Sequence, residues 1–444
     1  MKKVMYLLFG IIFVLVLAAC SGEDTAGDGG SDSDDKNAEQ DGSGGESDSG
    51  GEEEVTLRIA WWGSQPRHDY TNEVIDMYME KHPNVKIEAE YASWDDYWQK
   101  LAPQAAANEL PDIIQMDLSY LTQYAENNQL ADLNKYIGKQ IDVSNIADSV
   151  VDGGSVGDGI YGFNLGVNAL GFHYDPATLK KAGIDSIPED WTWDDYKEMS
   201  DKAVESGLFF DTGYKADVFF NYYLRTKGSR LYAEDGSGLG YDDDQLFVDF
   251  FTMVQDQVEK KATPTPDYLA QRTGVEDNPV VTEEAIGIWQ WSNQFVGLDE
   301  IASNPLEMAP MPGPNSSDGL FLKPSMFFSV AENSEHKEAA AEFIDFFIND
   351  VEANKLIKGD RGVPGSSEVK EALKPVISEA QAQVFEYVEW AEQNSSPMGA
   401  PDPAGAGEVI ELFDTIAEQI SYGEVSPEDA AKSFRSQAES ILGN

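Results

Sequence analysis

From Val55 onward the apolar residues switch between two periods in a regular order, and that order restricts the fold more than any other feature of the chain. Val55, Leu57 and Ile59 alternate with polar neighbours as in a strand. Tyr70, Val74 and Tyr78, with Ile75 and Met77 beside them, then follow at helical spacing until His82-Pro83-Asn84 stops the run. Val85, Ile87, Ala89 and Tyr91 alternate again, an Ala-rich helical segment follows, and Pro111 to Met116 is a short apolar run of the kind buried in a parallel sheet. The pattern predicts β-α-β-α-β and hence an open parallel α/β sheet, whose functional loops lie beyond the carboxyl ends of the strands. Those loops carry Trp61 and Trp62, then Trp94 and Tyr97, then Asp117.

At 444 residues the chain is long enough for two domains with sizeable cores. A second unit begins near Ala169 to Tyr174, a strand-like run followed by Asp175-Pro176 and a helix ending at Gly183. Thr192 and Asp195 form a capping box ahead of a helix holding Tyr196 and Met199. Gly228 to Asp243 has the turn chemistry of a hairpin around Glu234-Asp235-Gly236, and Val281 to Trp291 reads as a helix start and a strand. The breaker-rich Met308 to Pro314 reads as a hinge crossover, and helical patterns dominate from His336 to the end.

The N-terminus has a different character. Lys2 and Lys3 precede an apolar run from Val4 to Ala19, too short to span a bilayer and ending in small residues, as an export signal does. Leu17-Ala18-Ala19-Cys20 resembles the lipobox of bacterial lipoproteins, which implies acylation of Cys20, the only cysteine of the chain. Residues 1–19 are then a signal peptide. Residues 20–54 hold the lipidated Cys20 and an acidic Gly/Ser tether too polar to fold. The formal net charge of −51 resides mostly in the remaining body and disfavours nucleic acid, itself a polyanion.

Several segments, taken in order, resemble the sugar-binding family of extracellular solute-binding proteins, the group that includes maltodextrin-binding protein. They are Trp61-Trp62-Gly63 with Arg67, Pro111 to Ile114, Asp158 to Phe163, Gly171 to Asp175 with Lys181-Ala182-Gly183, Trp191 to Asp195, Ala285 to Trp289, Lys337 to Ile344 and Arg361 to Pro364. The likeness covers nearly all of residues 55–444. It implies a two-lobed, type II periplasmic-binding-protein-like α/β fold with hinge crossovers and a ligand cleft between the lobes. Lobe 1 would be residues 55–165 and 312–348, and lobe 2 residues 166–311 and 349–444. The implied role is that of a monomeric, lipid-anchored ABC-importer component, with no cofactor, metal or catalytic residue. It would capture a sugar or oligosaccharide and deliver it to the permease subunits. Two departures from the family pattern, Phe163-Asn164 and His173-Tyr174-Asp175, bear on which sugar is taken.

A sugar offers C–H faces and a belt of hydroxyls, so its site needs aromatic platforms and planar hydrogen-bonding groups. Carried over from the family, the ligand-binding residues would be Trp62, Ser64, Arg67, Trp94, Asp117 and Asn168, with Trp289, Trp291 and Ser292 from lobe 2 and Arg361 near the last hinge. Plainer roles compete with these. Trp61 would pack inward, Asp117 would cap a helix, Asn168 would satisfy hinge backbone, Arg361 would form an ion pair between lobes, and Trp191 and Trp193 would be core. Enzyme motifs find no support: Gly153 to Gly157 matches Gly-x-Ser-x-Gly without the strand and helix of a nucleophile elbow. Gly157 to Gly162 matches Gly-x-Gly-x-x-Gly without a βαβ frame.

Overall fold

A computed structural model describes residues 54–443 except Tyr214, Thr273 and Gly274. The expected signal peptide, Cys20 and the acidic tether lie outside the described residues. The body opens as its periodicity requires, with strands Val55–Trp62, Val85–Ala92 and Ile113–Met116 separated by helices Gln65–Lys81 and Trp94–Ala107. The first helix starts before its apolar stripe does, because Pro66 occupies the first turn, where a missing N–H leaves no bond unmade. In the second helix Ser93 caps the N-terminus by accepting the Asp96 N–H.

These three strands pair in parallel, with Val55 beside Val85 and Ile59 beside Ile113. The sheet is nevertheless mixed. Phe327–Val330 runs antiparallel between Ile113–Met116 and Phe163–Asn164, giving five strands of which the central pair is far apart in sequence. Phe327, Phe328 and Val330 are fully buried there, as a strand covered on both faces must be.

The second sheet has four strands, ordered Glu307–Ala309, Leu170–Tyr174, Ala285–Trp291 and Phe209–Asp211. Its interior is unusually aromatic: Phe172, Phe210, Phe219, Trp191 and Trp289 meet at ring-centroid distances of 4.3 to 6.3 Å. The capping box at Thr192 and Asp195 is formed in full. The hairpin around Asp235 is a single antiparallel bridge, Tyr232 to Leu239, with Asp235 bonded to Ser237 across the turn. The first sheet packs in one apolar cluster, which also reaches Ala285 and Ile288 of the second sheet, while Phe172, Ile286 and Trp289 of that second sheet belong to another cluster; the α/β body has two lobes.

Chain crossings between the lobes differ from expectation in two places. The Pro-rich segment after Met308 is not the hinge. Trp191 Nε1 donates to the Pro310 carbonyl at 2.9 Å and Tyr222 Oη to that of Pro312 at 2.8 Å, which fixes the segment against the second lobe. The passage back comes later, where Lys323–Pro324 pairs with Val167–Asn168. The third passage, expected near Asn349, follows Leu373. Helix Val351–Ile357 packs on the opening helix and Ser367 N–H bonds Asn145 O, both in the first lobe, whereas Tyr387 Oη reaches Leu170 O in the second. Gly166 lies under this junction, since a Cβ there would stand 2.4 Å from the Arg361 carbonyl oxygen.

Candidate functional site

A cleft of about 940 Å³ separates the helix Leu118–Glu126 of the first lobe from the second sheet and its loops. Its first-lobe wall is Asp117, Leu118 and Ser119, placed there because Ile113–Met116 ends at the sheet edge and Asp117 caps the helix that follows. The second-lobe wall comes from the end of strand Ala285–Trp291, the N-terminal turns of helix Ala216–Thr226 and the Arg230 to Glu234 hairpin arm. Phe321 and Lys323 on the crossover and the loop Met398 to Asp402 complete it. A space of this size, lined by aliphatic, aromatic and polar side chains together, suits a small-molecule ligand.

Trp289 and Trp291 are two apart on one strand and therefore share a face. Their environments differ. Trp289 is only 3% exposed, with its ring 5.7 Å from Trp191 in a parallel stack and 4.3 Å from Phe172, so it gives the cleft a rim and the core its bulk. Trp291 is half-buried, meets Phe321 edge-on at 5.7 Å, and has the Lys323 ammonium 5.2 Å from its ring centre. That makes Trp291 the aromatic surface a ring could lie against.

Carboxyl groups supply the polar side. Asp117 is committed locally, accepting the Ser119 N–H at 3.0 Å and the Ser119 hydroxyl at 2.6 Å. Asp217 Oδ1 is buried against the cleft wall without a partner, and burial raises its pKa while the Val218 N–H works against that shift. Asp402 reaches water inside the cleft, yet the surrounding protein raises its pKa, opposed by Lys323 and reinforced by Asp217 and Asp117. Behind them Asp211, fully buried, accepts from Tyr196 Oη at 2.8 Å, Thr263 Oγ1 at 2.9 Å and Gly213 N–H at 2.7 Å, so it holds the Thr212-Gly213 corner of the cleft. None of Asp211, Asp217 and Asp402 was among the sequence-derived candidates. Each stands in a stretch without a local motif, and only the turn residues around Asp402 mark it as a loop.

The other expected residues are dispersed. Trp62 is 7% exposed, boxed in by Trp94, Tyr97 and Trp98 at 4.9, 5.3 and 5.7 Å, while Trp94 itself is 41% exposed at the start of its helix. Trp61 packs inward as expected, its Nε1 bonding His68 Nδ1 at 3.1 Å. Ser64 is exposed at the N-terminus of the opening helix. Arg67 is occupied by Asp360, Nε to Oδ2 at 2.8 Å, outside the cleft lining. Asn168 is buried in the first crossing with Oδ1 unpartnered, and Ser292 is buried beside it, its Oγ accepting the Ala169 N–H at 3.2 Å. Arg361 is the largest departure. It is fully buried in the first lobe, donating to Gln115, Tyr70 and Thr71 and lying over the Tyr70 and Phe347 rings at 5.1 Å, where it binds protein rather than ligand or the opposite lobe.

Comparison with known proteins bears on the whole body. The chain is 24% identical over 377 residues to an uncharacterized lipoprotein of Streptomyces antibioticus, covering 77% of this chain and 81% of that one. It is 23% identical over 375 residues to the arabinooligosaccharide-binding protein of Bacillus subtilis, covering 80% and 79%. Among solved structures, an extracellular solute-binding protein family 1 member from Alicyclobacillus acidocaldarius superposes with a TM-score of 0.77 at 26% identity, covering 89% of this chain and 100% of the other. Residues 63–354, which include the second sheet, the first sheet apart from its strand Val55–Trp62, and the first-lobe and strand walls of the cleft, match the bacterial extracellular solute-binding protein family, and the chain belongs to it.

Proposed function

We propose that this protein captures a sugar or short oligosaccharide outside the cell and passes it to the permease of an ABC importer, without chemically changing it. The observation that carries the reading is the pairing, in one cleft, of the half-buried Trp291 ring with the carboxyl group of the partly exposed Asp217. An aromatic face takes the C–H side of a pyranose and a carboxyl oxygen accepts from its hydroxyls. The likeness to an arabinooligosaccharide-binding protein supports the same ligand class. Anchoring by lipid on Cys20, with residues 21–54 as tether, is part of the proposal and rests on the Leu17 to Cys20 motif. So is a monomeric state.

Calorimetry against a panel of neutral and acidic mono- and oligosaccharides tests this reading. Saturable 1:1 binding with the sugar recovered intact is the expected result. Consumption of the sugar would make the protein a hydrolase, and failure of every saccharide to bind would remove sugars as the ligand class.

A further inference from the structure

We propose that the saccharide is anionic, carrying carboxylate or sulfate groups, and that Arg230, seated beside Arg225, is the corner of the cleft that holds the charge. This rests on the saccharide reading above. Three of the seven arginines of the chain line this one cleft: Arg225, Arg230 and Arg272. Arg272 is neutralised by Glu284 at 3.1 Å. Arg225 and Arg230 form no ion pair among the described residues, in a chain with 81 acidic and 30 basic side chains.

Their bonds explain what each does. Arg225 is 4% exposed and spends its donors on neutral oxygens, the carbonyls of Gly319, Pro397 and Met398 and the Ser396 hydroxyl, at 2.6 to 3.0 Å. It staples the loop 396–398 to helix Ala216–Thr226. Arg230 donates one bond, from Nη1 to the same Met398 carbonyl at 3.2 Å, while its Nε and Nη2 have no protein partner among the described residues. The loop is shaped around it: a Cβ at Gly399 would stand 1.5 Å from Arg230 Nη1. Two guanidinium groups thus converge on one neutral carbonyl, and the repulsion between them contributes, after burial, to holding Arg225 down at about 10. An oxyanion on the unused edge of Arg230 would relieve that repulsion and gain two parallel charge-assisted bonds.

The acids of the cleft do not fill this role. Asp217 faces Lys215 and Lys323, and Asp402 faces Lys323, with neither arginine among their principal electrostatic neighbours. The cleft therefore divides into a carboxyl and tryptophan side suited to hydroxyls and rings, and a guanidinium side suited to an acid group.

The test is calorimetry of the purified protein with digalacturonate, a sulfated disaccharide, maltose as the neutral match and sodium sulfate as the bare ion, each at low and high salt. An acidic disaccharide is expected to bind, to weaken as salt rises, and to lose about tenfold or more in affinity in Arg230→Gln, the worth of a charge-assisted bond. Arg230→Lys, which keeps the charge, should retain part of that affinity, and the melting temperature of ligand-free Arg230→Gln checks that its fold is intact. If maltose binds as tightly as the acidic sugars and Arg230→Gln weakens neither, the inference fails while the saccharide reading stands. Sulfate binding as tightly as the acidic sugars would reduce the corner to a simple ion site, and silence from every saccharide overturns both readings.

Discussion

Arg361 Nε donates to Gln115 Oε1 at 3.2 Å inside the first lobe, joining the strand Ile113–Met116 to the segment that runs past the hinge. Burial pushes the Arg361 pKa down to about 10 even though Asp360 lies close by, so the guanidinium is charged at neutral pH and held by hydrogen bonds and ring faces. Removing it leaves Gln115 Oε1 without a donor in the buried interior and takes one bond each from Tyr70 Oη and Thr71 Oγ1, which keep only their bonds to Asp360 and the Arg67 carbonyl. Arg361→Ala should therefore destabilise the protein by about 3 kcal/mol or more, with Arg361→Met less harmful because it refills the volume. Urea unfolding measures both; an Arg361→Ala protein as stable as wild type would return this residue to the list of ligand contacts.

The two cleft tryptophans should separate cleanly. Trp291→Ala is expected to weaken ligand binding by about 1 kcal/mol or more with little loss of stability, since that side chain is already partly open to water. Trp289→Ala should instead cost about 3–5 kcal/mol of stability, because its ring fills space among Phe172, Trp191 and Phe219. Equal effects on binding and folding from both changes would contradict the difference in their surroundings.

Asp217 predicts a pH dependence with a definite sign. Its folded pKa is raised above the ordinary 3.8, so the native state holds the proton more tightly than the unfolded chain. Its contribution is fully present below that ordinary value and is lost as pH rises through the raised one. Asp217→Asn should consequently raise the melting temperature of the ligand-free protein at neutral pH and flatten its decline above pH 3.8. The same change should weaken sugar binding by about 1–3 kcal/mol, because the amide turns one of the two acceptor oxygens into a donor and removes the charge. Melting curves across pH, with and without ligand, read both effects.

Cys20→Ser should move the protein from the membrane to the soluble fraction while leaving ligand affinity unchanged, because two acyl chains are needed for durable anchoring and the thiol is the only one in the chain. Fractionation of cells carrying the variant decides it: retention in the membrane would exclude anchoring through Cys20.

The local pattern was enough for the α/β class and for the opening strands and helices, because periodicity and capping act over a few residues. Thr192 and Asp195 could be read directly as a capping box, and Trp61 as an inward-facing strand residue. The insertion of Phe327–Val330 between Ile113–Met116 and Phe163–Asn164 could not be read in this way, since no local signal states which strand a distant strand will pair with. The Pro-rich segment after Met308 misled for a related reason. Prolines mark a break in regular structure, but whether the broken segment hinges or is pinned depends on donors such as Trp191 and Tyr222, more than eighty residues away.

Site residues show the same division more sharply. Aromatic and carboxyl side chains near strand ends can be picked from the sequence as types, and Asp117, Trp289 and Trp291 do line the cleft. Arg67 and Arg361 were equally plausible by type, yet tertiary contacts commit one to Asp360 and bury the other against Gln115. Conversely, Arg230, Asp217 and Asp402 acquire their character only when segments far apart in sequence close on one another. By itself the sequence determined the residue chemistry, the alternation of strand and helix, and an order of motifs sufficient to place the chain in its family. The tertiary structure decided which polar groups have protein partners and which face an open cleft, because burial and hydrogen bonding are properties of the neighbours a folded chain brings together.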